Sequence, residues 1–363
     1  MTLNPIGKEN VVLYKGVGIL LIVLHNFFHW VDPILGENEF FFARVRVQWL
    51  LEAIAQNPLE VVHLGFAFFG HFGVALFIFL SAYGLTRAYG DRELSWGPFM
   101  RRRLARLYPV FVLGLLTHFL AFAVWQPEPW SKWLVIYALK LTLLTNFMPG
   151  FEFTVNGPWW FFSMIIQYYA VFGLLNAVTR KRPLAACLAL GVLSVALNAL
   201  VGPHLALNLR FTVLGWLPEI AFGIYLARAG TVRVPAPAVA ALAAVAIAAN
   251  WLKPLWYLQS FSLTLLLLVA LEALVNRREG TSRARGALGF VGTVSLALFA
   301  THGPLRLPFI QLANATSQWW ATLLLGAAFL IAALAVAFVA DRLAALFDRA
   351  IVKRAPAAVS PTK

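Results

Sequence analysis

Cysteine is nearly missing: Cys187 is the single one in 363 residues. It cannot close an intrachain disulfide, and no zinc-type cysteine spacing is present, so no metal is expected. Charge is scarce too, at 12% of residues, where a soluble domain carries about 25%. No polar stretch is long enough to be a separate soluble domain. Residues 1–350 therefore read as one integral-membrane domain, and 351–363, ending "RAPAAVSPTK", as a short disordered cytosolic tail. Internal repeats and paired halves are absent as well. Acidic residues are few, 15 against 29 Lys and Arg, giving a net charge of +14. Nucleic acid is not the expected partner of that charge. The arginines gather in short loops between apolar segments, the pattern that orients membrane helices. No small-residue cleavage site follows the first apolar run; His25, His29 and Trp30 do. The first helix is expected to be retained.

What the chain has in excess is apolar sequence, 61% of it. Apolar runs of roughly 18 or more residues indicate membrane spans. Candidates are 11–30, 61–86, 107–126, 131–149, 158–178, 184–201, 209–227, 234–252, 254–276, 286–309 and 317–340. Charge decides which of them cross. If 131–149 crossed, Arg180, Lys181 and Arg182 would lie outside, and so would Arg277, Arg278, Arg283 and Arg285. If it does not cross, every dense basic cluster is cytosolic, as the positive-inside rule requires. The expected fold is all-α and polytopic, with about ten transmembrane helices and both termini cytosolic. Segment 131–149 becomes a re-entrant or interfacial element, and the location is the cell (inner) membrane.

Against that background a few polar residues stand out. In "YKGVGILLIVLHNFFHW" (Tyr14–Trp30), His25 and His29 are spaced i, i+4 and share a helical face. His25 lies roughly 15 Å along the axis from Lys15, near mid-bilayer. A histidine within a span usually faces a bundle interior or an aqueous cavity, and its ordinary pKa near ~6.5 suits it to pass a proton. A hydrogen-bonded structural histidine is the plainer alternative. "FMRRRLARLYPVF" (Phe99–Phe111) carries Arg103 and Arg106 on one face. Guanidinium forks match phosphate oxygens, although orientation alone would also account for them. Gly73, Ser81 and Gly84 mark places where helices approach closely. Trp159 and Trp160 fit an interface belt or a sugar-stacking surface. Glu219 is a carboxylate inside a span that needs a partner, with Lys15 or a histidine as candidates. Glu272 is placed near a cytosolic helix end. His302 falls near the outer end of a span that Pro304 loosens.

Six stretches in order resemble the membrane-bound acyltransferase-3 family: "YKGVGILLIVLH", "FFGHFGVALFIFLSAYGLT", "FMRRRLARLYPVF", "NGPWWFFSMIIQYYAVFG", "LPEIAFGIYLA" and "GTVSLALFATHGPL". The resemblance runs through most of the chain. It implies a multipass acyltransferase that moves an acyl group, often acetyl, from cytosolic acyl-CoA to a hydroxyl of a surface glycan. Carried over by position, His25 is the essential histidine, and Lys15, in the place of the family's first-helix arginine, is the second catalytic residue. Arg103 and Arg106, with Arg102, bind the acyl-CoA co-substrate. His302 matches the family's late histidine; with His29, Trp159 and Trp160, read from their own positions, it is expected to face the carbohydrate or glycolipid acceptor, which arrives from the outer side or the lipid. Three positions depart from the family. Its first-helix arginine is Lys15 here, a point charge in place of a fork. The step from Lys15 to His25 is ten residues where eleven is commoner, which leaves the two roughly 80° apart around the helix. A glutamate common in the tryptophan-to-tyrosine helix is Ile165. The expected mechanism has His25 as general base. A transporter or flippase for glycolipid precursors is the alternative from another functional class.

Overall fold

The structure is a computed structural model that describes residues 1–90, 92, 94–125, 130–276 and 282–352. Of the expected tail, residues 353–363 lie outside the described residues, as do Arg277 and Arg278 of the expected basic loop. Among the described residues the chain is all-α apart from one short antiparallel pair. β1 (Thr2–Leu3) sets Thr2 opposite Arg233 of β2 (Val232–Arg233) and ties the N-terminus to the turn after α9.

The helices run in order α1 (Lys8–Phe28), α2 (Arg44–Gln56), α3 (Val61–Phe69), α4 (Gly73–Tyr89) and α5 (Trp96–Trp125). After α6 (Trp130–Leu141) come α7 (Trp160–Val178), α8 (Pro183–Ala196), α9 (Leu217–Ala229) and α10 (Ala236–Ala248). The last are α11 (Lys253–Trp256), α12 (Gln259–Asn276), α13 (Ser282–Thr293), α14 (Ser295–Leu305), α15 (Leu307–Thr316) and α16 (Trp319–Val352).

Among the described residues, six helical stretches are long and apolar enough to cross a membrane. A seventh arises if α13 and α14, bent by 76°, form one span. The protein is therefore a multi-pass membrane protein, but several expected spans are shorter than apolar sequence suggested. The 209–227 stretch breaks into two 3-10 turns, capped by Asn208 and Thr212, before a 13-residue α9 with Pro218 in its first turn. Likewise α10 has only 13 residues, about 20 Å at 1.5 Å per residue, against a hydrocarbon core of about 30 Å. Proline and glycine break these runs locally, which a count of apolar residues does not register. The 131–149 stretch is a 12-residue helix followed by a 3-10 turn. Its end is pinned inward: Asn146 donates to the carbonyls of Trp160 (2.7 Å) and Phe211 (2.6 Å).

Helix α1 is central and packs on α3, α4, α13, α14 and α16. Two glycines permit close approach at the end of α3 and the start of α4. A Cβ at Gly70 would sit 2.7 Å from the Cβ of His25, and one at Gly73 would collide with the Gly18 carbonyl. The expectation for Gly73 therefore holds, while Gly84 has open space beside it. Outward, α5, α8 and α16 expose Leu116, Phe119, Leu188, Val192, Leu324 and Ile331. Such side chains need no aqueous cover when lipid is the solvent. Helix α16 continues through Val352, so residues 351 and 352 of the expected tail are helical.

Candidate active site

Two cavities open at opposite ends of the α1–α4 pair. The first, of about 490 Å³, is lined by the last turn of α1, the loop before α2 and the start of α4. The second, of about 1080 Å³, is lined by the start of α1, the end of α4 and the start of α5. They share no lining residue. Between them, next to Ile22, Val74 and Phe299 of the first, lies a void of about 20 Å³ bordered by Phe77 and Ser295.

His25 lines the first cavity and is 5% exposed. Its Nδ1 lies 3.0 Å from the carbonyl oxygen of Ala67 and 3.3 Å from that of Phe66. A carbonyl can only accept, so Nδ1 carries the proton and donates it. The neutral ring is thereby fixed with its lone pair on Nε2. The His25 ring centroid is 5.3 Å from that of His29 and 5.4 Å from that of His71. His29 Nδ1 stands 2.8 Å from Oε2 of Glu37. His71 is buried, and neither of its ring nitrogens has a hydrogen-bond partner among the described residues.

The acidic lining comes from the loop between α1 and α2, where Glu37 and Glu39 are shifted in opposite directions. Burial alone pushes the Glu37 carboxyl up. The contact with His29 and the imidazoles of His25 and His71 outweigh it and hold the pKa at about 2. Burial pushes Glu39 well above the carboxylate range, with the Glu37 charge adding to it and Arg210 opposing. The two carboxyls are thus pushed in opposite directions, a split that environment alone creates. Arg306 also lines the cavity, donates to the Asn26 carbonyl at 3.2 Å, and lies over the Trp30 ring at 5.4 Å. One ligand atom from each of His25, His29 and Glu37 lies within 4.8 Å of the others, so these three could hold a metal ion.

The remaining expected residues divide. Trp160 lines the cavity and stacks on Trp216, with centroids 5.6 Å apart. Trp159 is neither an interface-belt residue nor a cavity residue. It is 1% exposed, and its indole N–H donates to the Ala300 carbonyl at 3.0 Å, so it is core. His302 is fully buried with Nδ1 2.9 Å from the Leu298 carbonyl one turn back, and it lines neither cavity. Lys15 does not meet His25. It lies within electrostatic reach of Arg106, toward the other end of α1. The cation that acts on Glu219 is Arg210, neither Lys15 nor a histidine. Arg210 sits between the Trp216 and Trp256 rings at 4.9 and 5.0 Å. Glu272 is buried and accepts from Asn4 (2.9 Å) and Tyr14 (3.1 Å).

The second cavity is basic. Lys8, Arg87, Arg92 and Arg102 line it. Of the three expected donor-binding arginines only Arg102 does so. Arg103 donates to the Tyr89 hydroxyl at 3.0 Å and lies among the Tyr89, Phe99 and Tyr169 rings. Arg106 is exposed and lies outside the lining. The i, i+3 spacing correctly places Arg103 and Arg106 on one face. Which face looks into the cavity depends on how α5 packs on α7, α14 and α16.

Sequence reasoning missed Glu37, Glu39, His71, Arg306 and the Arg87–Arg92 pair as site residues. A signal existed for the carboxylates: "GENEF" (Gly36–Phe40) puts two acids two positions apart in an acid-poor chain. His71 directly follows Gly70, whose missing side chain lets α4 approach His25. No curated protein and no solved structure matches the chain. The acyltransferase-domain model of the acyltransferase-3 family matches residues 11–342, and that match favours acyl transfer over the transporter alternative. With most of its length covered, this multi-pass membrane protein belongs to the acyltransferase-3 family and is a membrane acyltransferase.

Proposed function

We propose that the protein transfers an acyl group, acetyl in the simplest case, from acyl-CoA to a hydroxyl of a carbohydrate or glycolipid, with His25 as general base. The observation that carries this reading is the His25 ring: its proton is fixed on Nδ1 by the Ala67 carbonyl and its lone pair is free on Nε2 in a cavity. An acceptor hydroxyl bound there gives its proton to Nε2 as its oxygen attacks the thioester carbon. The proton then passes to the departing thiolate. Base assistance of this kind typically supplies about 10² to 10⁴ in rate. Trp160 and Trp30 offer ring faces to a sugar, and Arg306 and Asn26 offer hydrogen-bond donors.

The basic cavity suits the phosphates of the donor, with Lys8, Arg87, Arg92 and Arg102 as the binding groups. Lys15 and Arg106 extend that positive charge inward, so we place Lys15 on the donor's path and not at the reacting atoms. His25 lies seventeen positions beyond Lys8 on α1, roughly 25 Å by helix rise. The acyl-bearing arm has to cross that distance past the small void at Phe77, which requires this ring to turn. In this reading the basic end is cytosolic, both termini lie there, and about ten segments enter the cell membrane. The acceptor comes from the opposite face.

The test uses purified protein in detergent, labelled acetyl-CoA and a panel of glycans and glycolipids, with products identified by mass spectrometry. A labelled ester on an acceptor hydroxyl supports the reading. Acyl transfer to an amine, or none to any hydroxyl while acyl-CoA is bound, sinks it.

A further inference from the structure

The mechanism above uses His25 and leaves His29 and Glu37 without a chemical task, although both stand at the same opening. We propose that His25, His29 and Glu37 form a binding site for a divalent transition-metal ion, Zn²⁺ foremost, and that an ion held there shuts off acyl transfer. The binding half stands on geometry alone. The shut-off half rests on His25 being the base, as proposed above.

Three observations carry the site. The ligand atoms are already gathered, within 4.8 Å of one another. Bonds of about 2.1 Å in a tetrahedron put ligand atoms roughly 3.4 Å apart, so the widest separation must close by about an ångström or so. Rotation of the exposed partners suffices for that, since the His29 and Glu37 side chains are 23% and 15% exposed. Second, the supporting contacts are those a metal ligand needs. A ligating imidazole normally donates its other N–H to a carbonyl or carboxylate, and His25 Nδ1 does so to Ala67 at 3.0 Å. The carboxylate is anchored through its own loop. Arg46 donates to the Glu37 and Phe41 carbonyls, and the Trp256 indole donates to that of Asn38. Third, the donor set selects the ion. Two imidazoles and one carboxylate suit Zn²⁺ or a neighbouring transition metal, whereas Mg²⁺ and Ca²⁺ prefer oxygen alone. The cavity leaves a fourth position for water.

Arg46 and Arg306 line the same cavity and oppose a cation, so micromolar affinity is expected. The consequence is direct: Nε2 of His25 cannot hold a metal and accept a proton from a hydroxyl at once.

The test uses full-length protein purified through a tag without histidine. Zn²⁺ binding is titrated against a chromophoric chelator, and acyl transfer is followed in the same preparation. One Zn²⁺ per chain is expected in the wild type, weakened at least about tenfold in His29→Ala and in Glu37→Gln. Transfer falls as Zn²⁺ binds and returns on chelation. In each variant the half-inhibiting concentration, taken relative to that variant's own metal-free rate, rises by a similar factor. Absence of stoichiometric Zn²⁺, or equal binding in both variants, overturns the site. Zn²⁺ bound at one per chain with undiminished transfer keeps the site and overturns the shut-off. No transfer by metal-free wild type counts against the proposed function, while the titration still decides the site.

Discussion

The cavity around His25 and the cavity around Arg102 are walled by the same two helices, α1 and α4, yet they solve different problems. At the His25 end the polar groups answer one another: imidazole to carbonyl, imidazole to carboxylate, guanidinium to amide. Each is oriented, and the space is about 490 Å³. At the Arg102 end the space is about twice as large, and four cations line it with no acid among the described lining residues. A cluster of like charges is unfavourable unless an anion supplies the opposite sign. Preorganisation suits chemistry, and uncompensated charge suits capture of a charged substrate. The contrast separates a place of reaction from a place of binding within one helix pair.

The largest effect expected tests that separation directly. His25→Ala should lower kcat for acyl transfer by about 10² to 10⁴ while the donor KM moves little. If KM rises and kcat holds, the two regions are not divided in this way. Next comes the basic end. Arg87→Ala and Arg102→Ala should each, singly, raise the donor KM by about ten- to a hundredfold, since one charge-assisted bond contributes about 1.5 to 3 kcal/mol. The difference from wild type should narrow as salt is raised, because exposed charges are screened. An unchanged KM would reassign those arginines to orientation alone.

A smaller effect contrasts the two ends of α4 in packing. Gly73→Ala forces a Cβ onto the Gly18 carbonyl and should destabilise the fold by about 1 to 3 kcal/mol, read as a lower Tm in detergent. Gly84→Ala meets nothing within 4 Å and should leave Tm unchanged. The smallest concerns Glu37. Its folded pKa of about 2 lies below the ordinary 4.5, so its contribution is complete above pH 4.5 and is lost as pH falls toward 2. The stability gap between wild type and Glu37→Gln should therefore shrink over that window, with an amplitude on the order of 1 kcal/mol for a partly exposed pair. Tryptophan fluorescence melts would show it. A gap that grows with acid would show that the carboxylate is not held ionised.

Legibility followed a simple divide. His25 was conspicuous because an imidazole in an apolar run has few benign explanations. The basic character of the Arg87–Arg106 region was plain as well. Yet the particular cations were misassigned, because Arg103 spends its guanidinium on Tyr89 and aromatic rings, while Arg102 reaches the cavity. Trp159 and Trp160 were indistinguishable in sequence. One points into α5 and α14, the other into the opening, as neighbours on a helix must diverge. Glu37 and Arg306 come from opposite parts of the chain, and only folding puts them in one wall.

Composition and order alone determined that this chain enters a membrane, is helical, carries a histidine inside its first span and gathers arginines at one end. Those properties are local, set by transfer from water to lipid and by i, i+4 geometry. Tertiary structure decided which carboxylate meets which imidazole, which arginine opens to a cavity, and that apolar runs at 209–227 and 234–252 hold only 13-residue helices. These depend on contacts between residues distant in sequence, where packing around Gly70 and Gly73, and not hydropathy, sets the outcome.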